Sequence, residues 1–136
     1  MKVIIAIIAG VALLGVVAWQ LNSGGAQSDE AAIESLLRNE MDYVRSRDSK
    51  RLYALLSPSA REECSLDEIQ QALNLVPVNL LKDLTIGNVE VTVSGDRASA
   101  SYVVIANGDS SIEHDTFVKV GGRWYDDAGD EDRNIC

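Results

Sequence analysis

The sequence predicts an α+β domain behind an N-terminal transmembrane helix, with helices packed on one face of a curved antiparallel sheet. Three observations carry this reading. An apolar run without a charged side chain fills Val3 to Trp19. From Ile33 to Val76, apolar residues recur at three- and four-residue steps, the period of amphipathic helices. Beyond Pro77 they alternate with polar residues, the period of half-buried strands. Helices followed by strands, rather than an alternation of the two, mark an α+β architecture.

The apolar run comes first. Seventeen helical residues span about 26 Å, and extension through Leu21 gives about 28 Å. A hydrocarbon core is about 30 Å thick, so residues 3–21 reach across it. Trp19 stands where an interfacial aromatic belongs. Lys2 precedes the run, and Asp29 and Glu30 follow it. The positive-inside rule then places the N-terminus in the cytoplasm and the domain outside the cell membrane as a single-pass protein. The alternative is secretion after signal cleavage, with Gly24-Gly25-Ala26 as a small-residue site. No cysteine follows the run to carry a lipid. The chain thus divides into a membrane or signal segment (1–21), a Gly-rich linker (22–28), a folded domain (29–127) and an acidic tail (128–136).

Ser28 reads as the cap of the first domain helix, with Asp29 and Glu30 suited to its dipole. Ile33, Leu36, Leu37, Met41 and Val44 form its apolar stripe, and the helix ends near Arg47. Asp48 caps a second helix carrying Leu52, Leu55 and Leu56. Ser57-Pro58 opens a third short helix, a cap followed by proline at the first position. Ser65 and Glu68 form a capping box before a fourth helix carrying Leu66, Ile69, Leu73 and Val76. Pro77 ends it. Val89, Val91 and Val93 mark the first strand, and Ser94-Gly95-Asp96 a turn. Arg97 to Ala106 is the second strand, with Ala98, Ala100, Tyr102 and Val104 on one face. Asn107-Gly108 is a hairpin signal. Ile112 to Val120 is the third strand, and Gly121-Gly122 leads into a fourth with Trp124 and Tyr125.

Composition excludes several functions. Of the 136 residues, 12 are Lys or Arg and 21 are Asp or Glu, a net charge of -9. Such a chain repels phosphate backbones, so nucleic acid is not expected as a partner. A single histidine, His114, rules out a His-rich metal site, and no cofactor motif is present. His114 lies between Glu113 and Asp115, as a solvent-facing strand residue or as a base oriented by a carboxylate. The run Asp126 to Asp132 reads as a solvated acidic tail; its carboxylates lack the EF-hand spacing for calcium. Export brings Cys64 and Cys136 into an oxidising compartment, where an intramolecular disulfide would stabilise the fold by up to roughly 4 kcal/mol. Intermolecular pairing and free thiols are the alternatives.

The element order resembles the cystatin-like cone shared by nuclear transport factor 2 and ketosteroid isomerase. The residues that carry the likeness are Tyr43-Val44-Arg45-Ser46-Arg47-Asp48 at the end of the first helix, the Leu52 to Leu56 helix, and Phe117-Val118-Lys119-Val120-Gly121-Gly122-Arg123-Trp124 in the last hairpin. The resemblance implies a cone whose open end forms a pocket, lined here by Tyr43, Tyr102, Phe117 and Trp124. Tyr43 matches the isomerase tyrosine that donates to the developing enolate. No aspartate in Ser57 to Cys64 aligns with the isomerase base, and the second, protonated aspartate of its oxyanion hole has no counterpart. A donor without a base abstracts no proton. The expected function is therefore a non-enzymatic extracytoplasmic module that binds a protein or envelope component. The alternatives are a carrier of a small apolar ligand in the cone, and a small enzyme that pairs Tyr43 with another carboxylate.

Overall fold

The computed structural model describes residues 28–127. The expected transmembrane helix, the cleavage site, Cys136 and most of the acidic tail lie outside the described residues. Among the described residues, no helix is long and apolar enough to cross a membrane.

Five helices precede four strands: α1 (Asp29–Ser46), α2 (Ser49–Leu55), α3 (Pro58–Glu63), α4 (Leu66–Leu75), α5 (Val78–Lys82), β1 (Thr85–Ser94), β2 (Arg97–Ala106), β3 (Asp109–Val120) and β4 (Arg123–Asp126). The caps act as their residue types dictate. Ser28 Oγ accepts from Ala31 N, Asp48 Oδ1 from Arg51 N and Ser57 Oγ from Ala60 N. Ser65 and Glu68 close a reciprocal capping box. Each satisfies helix N–H groups that would otherwise lack partners.

Three expectations about element bounds need correction, the simplest being that β3 begins at Asp109 rather than Ile112. Pro77 ends α4 but also serves as the N-cap of α5, a helical turn that the sequence reading missed. Proline has no N–H to lose at a helix start, so it terminates one helix and admits the next. Leu81, buried on α5, is the side chain that docks this turn. The first strand also begins earlier than its valines, at Thr85, because a register shift between Gly87 and Glu90 interrupts the alternation. Asn88 sits there at φ 49°.

The sheet is an antiparallel meander in the order β1-β2-β3-β4. Asn107 and Gly108 take φ of 54° and 83°. A two-residue hairpin with both centres left-handed matches the strand twist, which favours this Asn-Gly pair. The inner face of the sheet packs on α1, and the core between them contains Ile33, Leu37, Met41, Ala100, Tyr102, Phe117 and Trp124. Phe117 is fully enclosed.

Candidate functional site

Strand register places a polar cluster in this apolar interior. Ala98 pairs with Phe117, which pairs with Asp126; Ala100 pairs with Asp115. Directly opposed residues share a face, so Asp115 and Asp126 point inward with Tyr102, toward α1. From α1 comes Glu40. It lies seven residues after Ile33 and four before Val44, on the same face as the apolar stripe. Glu40 is 7% exposed and Asp126 6%.

The Tyr102 hydroxyl donates to Asp115 Oδ2. The Glu40 carboxyl lies against that of Asp126, and Glu40 Oε2 and Asp126 Oδ1 are both buried without a protein donor among the described residues. Carboxylates only accept hydrogen bonds, so a bond between two carboxyl groups requires a proton on one of them. If both were ionised, Glu40 Oε2 would meet no donor among the described residues. Burial pushes the Glu40 carboxyl well above the usual carboxylate range, and the charges of Asp126 and Asp115 push it further. Burial also raises the Tyr102 hydroxyl, followed by the charges of Asp115 and Glu40. The result is a neutral acid and a neutral phenol held beside carboxylates, an arrangement suited to holding a proton.

Asp115, at the edge of the cluster, is half-buried. Phe117, Tyr102 and Trp124 are all buried around the cluster. A cleft of about 360 Å³ is lined by Thr92, Ser94, Arg97, Ala98, Ser99, Thr116, Phe117 and Asp127. Thr92, Ser99 and Thr116 are cross-strand partners on the outer face of the sheet.

Of the residues expected to line a pocket, Tyr102, Phe117 and Trp124 come together on the inner face. Tyr43 is half-buried near the C-terminal end of α1, with the Arg51 guanidinium 5.8 Å from its ring centroid. Trp124 Nε1 donates to Asp29 Oδ1 at 2.9 Å, and Lys119 Nζ reaches the same oxygen at 2.9 Å. His114 is exposed on the outer face, opposite Ser101. Strand alternation turns it away from both flanking carboxylates, so they cannot orient it. Cys64 is buried at the end of α3 and is not a free thiol. Its expected partner, Cys136, lies outside the described residues.

Sequence reasoning missed Glu40, Asp115 and Asp126. Asp126 and Asp127, expected in a solvated tail, are instead part of the packed domain. Asp126 is the last residue of β4, and the Asp127 side chain is only 15% exposed. For these two residues the solvated reading fails because β4 continues past Tyr125, and strand parity turns Asp126 inward. Among the described residues, no group of acidic, histidine or cysteine side chains has the geometry of a metal site.

No family model and no curated protein matches this chain. Solved structures do, at low identity. A SEC-C motif-containing protein from Rhodopseudomonas palustris superposes with a TM-score of 0.54 and 18% identity, over 74% of this chain and 78% of its own. An NTF2-like protein with a cystatin-like fold from Novosphingobium aromaticivorans gives 0.52 and 20%, over 72% and 77%. A Campylobacter jejuni protein named as an NTF2-like transpeptidase gives 0.53 and 18%, over 69% and 95%. The domain has the nuclear transport factor 2-like, cystatin-like fold.

Proposed function

We propose that this is a non-enzymatic extracytoplasmic domain, carried on the membrane by residues 3–21, that binds a protein or envelope component through its outer surface. The observation that supports it is the burial of the interior groups. The groups with chemical potential, Glu40, Asp126 and Tyr102, are buried, and so are Phe117 and Trp124, expected to line a pocket. The same burial disfavours a small apolar ligand in the cone. The outer face of the sheet instead exposes Ile105, Ile112 and Val120. Ile105 and Ile112 are neighbours on this face, Val120 lies at the other end of β3, and Leu75 and Val78 are exposed on the helical side; neighbouring exposed apolar side chains mark a docking surface.

Photo-crosslinking of the full-length chain in its own membrane tests this reading. A photoreactive residue at Ile112 is expected to give a discrete adduct, and one at Glu62, on the helical side, none. Equal labelling at both positions would remove the support for an outer-face partner. Protease added outside intact cells should degrade the domain; protection would place it on the wrong side of the membrane.

A second reading has one specific observation in its favour. A protonated Glu40 beside two further carboxyl groups is the kind of acid that an enzyme of this fold places in its cone. That reading requires the interior to open, and it predicts turnover of some substrate that Glu40→Gln abolishes.

A further inference from the structure

Asp126 stands at a junction of the fold. Its carbonyl accepts from Ser57 N at 2.8 Å, and it forms a parallel bridge with Leu56. The next residue continues the seam. Asp127 N donates to Thr116 O at 2.9 Å, Ser57 Oγ donates to Asp127 Oδ1 at 2.9 Å, and Arg97 Nη1 reaches Asp127 Oδ2 at 3.0 Å. Two residues at the end of β4 thus join the α2–α3 junction to the sheet, and one of them carries the buried carboxyl that faces Glu40.

We propose that the Glu40–Asp126 carboxyl pair is a proton-operated latch. A proton between the two groups holds α1 against the end of β4, and its loss releases residues 126–127 from the α2–α3 junction. The groups that face the pair decide the direction. Asp115 and, behind it, Tyr102 approach from β3 and β2; Glu113 shares their face; β1 presents Val89, Val91 and Val93. Cations on the neighbouring elements have other partners: Lys119 binds Asp29, Arg97 binds Asp127, and Arg45, Arg47 and Arg61 donate to the carbonyls of Leu84, Val76 and Ala54. Without the proton, like charges meet where water is excluded, and their repulsion is strong.

The weaker element yields. α1 is 18 residues long and buries Ile33, Leu36, Leu37, Met41 and Val44 besides Glu40. β4 has four residues and pairs with β3 alone. Movement of its end relieves the repulsion at the smallest loss of packing. Sign follows from linkage. A carboxyl raised in the folded state contributes stability that is fully present below its unfolded value and is lost as pH rises through its folded value.

Amide hydrogen exchange of the full-length chain in detergent micelles, corrected for intrinsic rates, tests the latch. Protection at Ser57 and Asp127 should fall at least tenfold as pH rises from the carboxylate range to above neutrality, while protection at Ile33 and Leu37 holds. In Glu40→Gln, whose amide donates to Asp126 without a titrating proton, Ser57 and Asp127 should stay protected throughout. Wild-type protection that is flat with pH, or the same loss in Glu40→Gln, overturns the latch. Infrared spectroscopy covers the case in which the variant folds poorly. The wild type should show the carbonyl stretch of a buried neutral carboxylic acid that disappears at high pH, and its absence at every pH overturns the proposal.

Discussion

The helix α1 meets the sheet at two polar points that follow opposite rules. At its first turn, Asp29 binds Lys119 and the Trp124 indole at the protein surface. Eleven residues on, a rise of about 16 Å, Glu40 meets carboxyl groups in the interior. The first contact joins opposite charges, and the hydrogen bonds from Trp124 and Lys119 hold Asp29 below the usual carboxylate range. The second joins like charges, and burial holds Glu40 above it. One point is strongest when ionised and the other when neutral. The same helix is therefore held most firmly at both points only over the pH interval in which Asp29 has lost its proton and Glu40 has kept its own.

The largest perturbation removes a residue that serves the surface contact and the core together. Trp124→Ala should cost about 3–5 kcal/mol, the range for deleting a buried aromatic side chain. Denaturant titration measures it. A loss below about 1 kcal/mol would mean that Trp124 contributes only its indole bond. Next comes Tyr102→Phe, which deletes a hydroxyl bonded to a carboxylate and should cost about 1.5–3 kcal/mol. An unchanged midpoint would separate Tyr102 from the acidic interior.

Glu40→Gln is the smaller change in size and the sharper in meaning. It should stabilise the domain at neutral pH by about 1 kcal/mol, the scale of one satisfied hydrogen bond. It should also flatten the decline of stability with rising pH. Thermal unfolding across pH would show the wild-type and variant curves converging on the acid side. Destabilisation at every pH would break the comparison, because the glutamate would then be a stabilising anion. The smallest effect belongs to Asp29→Asn. An exposed pair stabilises little and is screened by salt. A lowered carboxylate gives stability that is present above its unfolded value and is lost as pH falls through its folded value. The variant should therefore differ from wild type mainly above the carboxylate range and at low ionic strength. Equal differences in high salt would assign the contact to packing.

The elements of the domain were largely legible in the residues. Ser28, Asp48, Ser57 and Ser65 cap where their hydroxyl or carboxylate oxygens predict, and β2 runs from Arg97 to Ala106 as its alternation requires. The missed turn at α5 has the weakest local signal, five residues after a proline. The site was less legible, although traces of it were present. Glu40 interrupts an apolar stripe, and a charge in that position is a sign of a buried partner. Asp115 precedes Phe117 by two, and Asp126 follows Trp124 by two, so parity with a buried aromatic turns both inward. Those traces give direction but no companion.

By itself, the sequence determined most of the secondary structure, the helices-then-meander order, the acidic net charge and the tight hairpin at Asn107-Gly108. Each depends on periodicity, capping or backbone freedom within a few residues, and such interactions are written locally. Only the tertiary structure decided that Glu40 and Asp126, 86 positions apart, are buried together in the interior. Whether a carboxyl is buried or solvated depends on what fills the volume across from it, and that volume is assembled from strands and helices far apart in the chain.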